Sequence, residues 1–130
     1  MSYYISNIVK NGSFDEAVEK VTEELKKEGF GVLTEINVSE TLKKKIDVDF
    51  KKYKILGACN PQFAYKALSA EDKIGVFLPC NVVVEENDNG DIEVSAVDPI
   101  ASMMSVKNDA LVGHATVIRE KLVRVISNMR

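Results

Sequence analysis

Apolar residues recur along the chain in two periods, and the points where one period gives way to the other mark out its elements. Tyr3 to Val9 (YYISNIV) is aromatic and β-branched and predicts a strand. Phe14, Ala17, Val18, Val21 and Leu25 then return at helical spacing. Ser13 and Glu16 form a capping box ahead of them, and Gly29 stands where a left-handed C-terminal residue is wanted. Gly31 to Val38 alternates, Val32, Thr34, Ile36 and Val38 against Leu33, Glu35 and Asn37, and predicts a second strand. Ser39 is placed to cap a short helix over SETLKKKI. Lys54 to Cys59 is a short apolar strand. Asn60 before Pro61 predicts an N-cap with proline at the first helical position, opening the helix PQFAYKAL.

Gly75 to Glu86 reads as one long strand with Pro79 inside it; proline has no N–H for a ladder, so an edge, a bulge or a break is expected there. The tetrapeptide NDNG, Asn87 to Gly90, ends in the Asn-Gly pair favoured by type I′ hairpins. With Asn89 and Gly90 as a two-residue loop, Val84 faces Ser95, Val82 faces Val97, Asn81 faces Asp98 and Glu86 lies opposite Glu93. Asp98 before Pro99 repeats the cap-and-proline arrangement and predicts a short helix through IASMM. A final helix carries Leu111, Ala115, Ile118, Leu122, Val125 and Met129 on one stripe. The order β-α-β-(α)-β-α-β-β-α-α, without internal repeat or linker, predicts a single two-layer α+β domain over residues 1–130. Its sheet is five-stranded, mainly antiparallel or mixed, with helices packed on one face.

Composition changes this picture little. A 130-residue chain that is 45% hydrophobic can build a core without metal or disulfide staples. The N-terminus has no basic region leading into a long apolar stretch, and no window approaches the roughly 18 apolar residues of a membrane helix. A cytoplasmic protein with reduced thiols and no membrane partner is expected. Lys43 to Lys54 (KKKIDVDFKKYK) holds six lysines against two aspartates, so it is locally +4 in a chain of net charge −3, and the remainder is −7. That stretch reads first as a solvated helix end and loop. It contains no arginine, and its only aromatics are Phe50 and Tyr53, so no nucleic-acid partner is expected.

Candidate chemistry narrows to the two cysteines, each followed by asparagine: Cys59-Asn60 in GACNPQF and Cys80-Asn81 in LPCNVVV. No Gly-rich phosphate loop, nucleophile elbow or CxxC is present, and two separated cysteines with one distant histidine make a poor zinc site. His114 is the only histidine; it lies three residues after Leu111 and four before Ile118, and reads as a packed side chain. Cys59 falls just before a predicted helix N-terminus, where unsatisfied N–H groups and the helix dipole stabilise thiolate. Cys80 has no such environment.

ILGACNPQFAYKAL, IGVFLPCNVVV and VSAVDPIA, with the opening SFDEAVEKVTEELKKEGFGVLTEI, resemble the bacterial and archaeal domain-of-unknown-function family 302 over essentially the whole chain. The resemblance implies a small α+β fold, a homodimer and no agreed activity. Cys59, Asn60, Pro61, Pro79 and Cys80 match the family's signature, which assigns them no role. The leading reading is a cytoplasmic homodimeric binding module that holds a small ligand or a soft metal ion such as Cu(I) near Cys59, Asn60, Cys80 and Asn81. Asp98 is a further ligand-binding candidate, expected on the same rim if the strands bearing the two cysteines run antiparallel side by side. Two other readings stand beside it. One is a thiol-dependent enzyme, redox or nucleophilic, using Cys59; the other is a structural or interaction domain whose cysteines are buried and inert. The first reading expects the two cysteines within about 10 Å at their α-carbons, without a disulfide.

Overall fold

Five strands alternate with helices in a computed structural model that describes residues 2–10 and 12–130. The strands are β1 (Tyr4–Val9), β2 (Gly31–Asn37), β3 (Tyr53–Cys59), β4 (Cys80–Glu86) and β5 (Ile92–Val97). The helices are α1 (Phe14–Lys27), α2 (Val38–Ile46), α3 (Pro61–Ala70), α4 (Pro99–Met103) and α5 (Asp109–Ser127), and a 3-10 helix spans Asp72–Phe77. All strand pairs are antiparallel, in the order β1-β5-β4-β3-β2. The domain is α+β, as the sequence predicts.

The helices start and stop where the side chains dictate. Ser13 Oγ accepts the Glu16 N–H at 3.1 Å and opens α1. At the other end Phe30 N–H reaches Leu25 O and Gly29 N–H reaches Lys26 O, a Schellman closure that needs the left-handed φ of +86° at Gly29. α2 begins earlier than Ser39 suggests: Asn37 Oδ1 accepts the Glu40 N–H at 3.1 Å, and Ser39 Oγ donates to that same oxygen. The six positions predicted for the α5 stripe are all buried.

α1 and α5 cover one face of the sheet. Val21, Leu25, Leu122, Val125 and Ile126 pack onto Leu56, Val82, Val84, Ile92, Val94 and Ala96, each at most 1% exposed. Burial of each such side chain contributes about 1.5–3 kcal/mol. Asn7 on β1 lies on the helix-covered face, opposite Val94, and its amide donates to Ile126 O at 3.1 Å and Met129 O at 2.6 Å. It thereby ties down the chain at the end of α5, where Ile126 O also accepts the Met129 N–H at 3.1 Å and Met129 lies past the last helical residue.

Two expectations are corrected. The long strand from Gly75 does not form: Asp72–Phe77 turns as a 3-10 helix, and β4 starts only at Cys80, after Pro79, which cannot donate to a ladder. The hairpin register also differs by one residue. Val84 pairs with Val94, Val82 with Ala96, Glu86 with Ile92 and Glu85 with Glu93. The loop is Asp88-Asn89-Gly90, closed by Gly90 N–H to Asn87 O, and only Gly90 takes a positive φ, +89°. This is a type I turn with a glycine bulge, which has three residues where a type I′ loop has two. Side-chain burial selects it: a two-residue loop would turn Ser95 and Val97 into the core and put Ile92, Val94 and Ala96 outside.

The lysine-rich stretch is only partly offset by acids outside it, Glu85 and Glu35, and Lys44, Lys45 and Lys52 make no ion pair among the described residues. Lys43 pairs with Asp47 and Asp49, Lys51 with Glu85, and Lys54 with Glu35. No helix among the described residues is long and apolar enough to cross a membrane.

Candidate functional site

β3 ends at Cys59 and the chain turns directly into α3. Asn60 makes that turn: its backbone is extended, its Oδ1 accepts the Phe63 N–H at 3.4 Å, and its Nδ2 donates to Glu28 O at 3.5 Å. Both ends of the amide are therefore engaged. Gly29 is fitted to this contact as well, since a β-carbon there would stand 3.0 Å from Asn60 Nδ2.

α3 is thus held over the rim of the sheet, and beneath it lies a cavity of about 340 Å³. Its floor is the rim itself, Ala58 and Cys59 from β3, Cys80 from β4, and Leu78-Pro79 leading into it. Phe63, Ala64, Ala67 and Leu68 of α3 form the roof. Leu111, His114, Ala115 and Ile118 of α5 form the far wall, with Pro99 and Met103 of α4 beside them. Leu33 and Thr34 of β2 border the opening. No side chain of α3 is fully buried, so the roof is lightly packed.

Cys80 pairs directly with Ala58, the residue before Cys59. Pair spacing of about 5 Å and a rise of about 3.3 Å per residue put the two cysteine α-carbons about 6 Å apart. Alternation along the strands directs the two side chains to opposite faces. They line one cavity because it wraps the rim, and both thiols are free. Burial, and secondarily the neighbouring Cys59, pushes the Cys80 thiol up to about 11. It is a neutral S–H at physiological pH.

Two of the other sequence candidates, Asn81 and Asp98, stand apart from this cavity. Asn81 is exposed on the opposite face, in a second, more polar depression of about 410 Å³ with Tyr53, Val83, Glu85 and Ser95. Asp98 is buried and works structurally: Oδ1 accepts the Ile100 N–H at 3.0 Å, capping α4, and Oδ2 accepts from Arg119 Nε at 3.0 Å. Asn60 borders the cavity as a helix cap. Among the described residues no group of three or more His, Cys, Asp or Glu side chains is placed to hold a metal ion.

His114 is where the sequence reading fell short. Its spacing from Leu111 and Ile118 put it on the packed stripe, but the ring lines the cavity, edge-on to Phe63 with centroids 6.2 Å apart. The small residues Ala64 and Ala67 leave the space open beneath α3. Alanine at helical spacing carries no sequence signal that separates an open space from close packing.

Comparison with known proteins places the whole chain. A family model described as domain of unknown function DUF302 matches residues 6–129. The crystal structure of the uncharacterized conserved protein DUF302 from Bacillus stearothermophilus is 32% identical in sequence, with a TM-score of 0.92 over 100% of both chains. No curated protein matches the chain.

Proposed function

On the premise that the chain belongs to the domain-of-unknown-function family DUF302, we propose that it is a binding module that takes a small molecule into the cavity between α3, α5 and the sheet rim. The observation that carries this reading is the cavity itself. At about 340 Å³ it falls in the size range of small-molecule sites, which are concave, mostly apolar and furnished with a few convergent polar groups. Besides the capping amide of Asn60, the polar side chains that line it are the Cys59 and Cys80 thiols, the His114 ring and the Thr34 hydroxyl. A soft metal has less support. It would have to displace a Cys80 proton that burial holds more tightly than usual.

Native mass spectrometry of protein purified without a metal-affinity tag, together with titration of the neutral fluorophore 1-N-phenylnaphthylamine, tests the reading. Saturable fluorophore binding with a stoichiometry of one per chain is expected, and Ala67→Phe, which fills the space, abolishes it. Absence of binding, or binding unchanged by Ala67→Phe in a folded variant, refutes it.

The module acts as a homodimer in this proposal, and two features support that. The sheet face opposite α1 and α5 is uncovered, with Tyr4, Tyr53, Val83 and Val97 on it. α2 has no buried side chain, and its last residue Ile46, with Val48 and Phe50 after it, is exposed, by 62%, 42% and 46% in turn. The Phe50 ring lies 6.0 Å from that of Tyr53, so the two surfaces are continuous. Light scattering should give twice the chain mass, and Phe50→Asp should give the monomer while fluorophore binding persists. A monomeric parent protein refutes the dimer.

A further inference from the structure

We infer that the cavity selects an uncharged, mainly hydrocarbon molecule. This rests on the cavity being the binding site, as proposed above.

Charge in the lining is the first ground. Only three lining residues titrate, Cys59, Cys80 and His114, and there is no lysine, arginine, aspartate or glutamate among them. An ionised carboxylate or phosphate brought beneath α3 would lose water and meet no compensating cation, which is unfavourable by several kcal/mol or more.

The N-terminus of α3 does not supply that compensation. Helix N-termini hold anions through free backbone N–H groups, but here the first helical residue is Pro61, which has none. The Phe63 N–H is taken by Asn60 Oδ1, and the Ala64 N–H bonds Asn60 O at 2.9 Å. Of the first turn only Gln62 keeps a free donor. The signature Cys-Asn-Pro therefore closes an anion site.

The opening points the same way. Leu33 and Leu68 belong to the lining yet are 69% and 44% exposed, so hydrocarbon can continue from the cavity to the surface without crossing a charged ring. One cation stands near: Lys66, on the exposed side of α3, holds Nζ 5.6 Å from the Phe63 ring centroid. It marks the one alternative, an amphiphile placed so that a carboxylate reaches Lys66 at the mouth.

Competition against bound 1-N-phenylnaphthylamine at pH 8 separates these cases, using decan-1-ol and decanoate, which share a chain and differ in charge. Decanol should displace the fluorophore at a concentration at least tenfold below that needed for decanoate. In the series from hexanol to decanol each methylene should tighten competition about fourfold until the cavity is full. Lys66→Met should leave the order unchanged. Decanoate competing as well as decanol overturns the inference while leaving the cavity as the site, and a decanoate preference lost in Lys66→Met assigns that amphiphile instead. Failure of the fluorophore itself to bind overturns the cavity reading and this inference together. Ala67→Phe and Ala64→Leu both block the space, and circular dichroism shows which of them folds; a folded, blocked variant that still binds decanol also overturns the inference.

Discussion

Cys80 gives the sharpest quantitative test, because its environment was built by the fold and not by its neighbours in sequence. It opens β4 at the sheet rim and packs against the core, and burial there, with Cys59 beside it, moves the thiol from its ordinary 9.0 to about 11. Thiolate is the reactive form, so at pH 8 a shift of about two units reduces the reactive fraction about 100-fold. In a Cys59→Ser protein, which keeps the burial but loses the Cys59 charge, reaction of the remaining thiol with a disulfide reagent should still run well below a free thiol at pH 8, by less than the full 100-fold, and keep climbing above pH 9. The same shift bears on stability. The folded state keeps its proton longer than the unfolded chain, so the contribution is fully present below about pH 9. It is lost as pH rises from there to about 11, by roughly 3 kcal/mol in all. Tyr53, also raised by burial, adds loss of the same sign, so the measurement is the difference between the parent and Cys80→Ala in urea unfolding at pH 8, 9.5 and 11. Cys80→Ala should start less stable and show the flatter profile. A Cys80 reaction profile with its midpoint near 9, or parallel stability profiles, would refute the buried neutral thiol.

Three further outcomes are expected. Gly29→Ala should lower stability by about 1–2 kcal/mol in urea, since it forces a side chain into left-handed backbone against Asn60, whereas Gly90→Ala, with open space around it, should lose only about 1 kcal/mol. Asn60→Ala should cost about 1 kcal/mol through the lost cap, and Asn81→Ala, exposed on the far face, should stay within about 0.5 kcal/mol; equal effects would contradict their separation. Asn7→Ala should cost about 2 kcal/mol and speed amide exchange in the last turn of α5, because its amide serves both Ile126 O and Met129 O.

Local rules read most of the fold correctly. Ser13, Asn60 and Asp98 cap helices through side-chain oxygens because each stands before a segment that must leave N–H groups unpaired. The errors came where two local rules competed. Asn-Gly favours a two-residue turn, but Ile92, Val94 and Ala96 alternate with Glu93, Ser95 and Val97, and the first set is the one to bury; that pattern fixes the parity of the loop more strongly than one dipeptide does. Likewise the apolar run from Gly75 has strand composition, yet Pro79 ends the ladder and leaves the residues before it free to curl.

The site was legible in outline for a different reason. Cys59 and Cys80 mark the end of one strand and the start of its antiparallel neighbour, so any sheet that pairs them brings them to one rim. Their asparagines could not follow as a pair. Successive side chains on a strand point to opposite faces, so the step from Cys80 to Asn81 crosses the sheet. The step from Cys59 to Asn60 leaves the strand and becomes a helix cap. A repeated dipeptide in strands therefore marks a place more reliably than a set of ligands. The space beside it is shaped by residues remote in sequence, among them Ala64 and Ala67 on α3 and His114 on α5, with α3 tied to the end of α1 through Asn60 and Gly29. Disturbing that tie should loosen the roof before it unfolds the core, because α3 buries no side chain of its own while α1 and α5 hold the sheet.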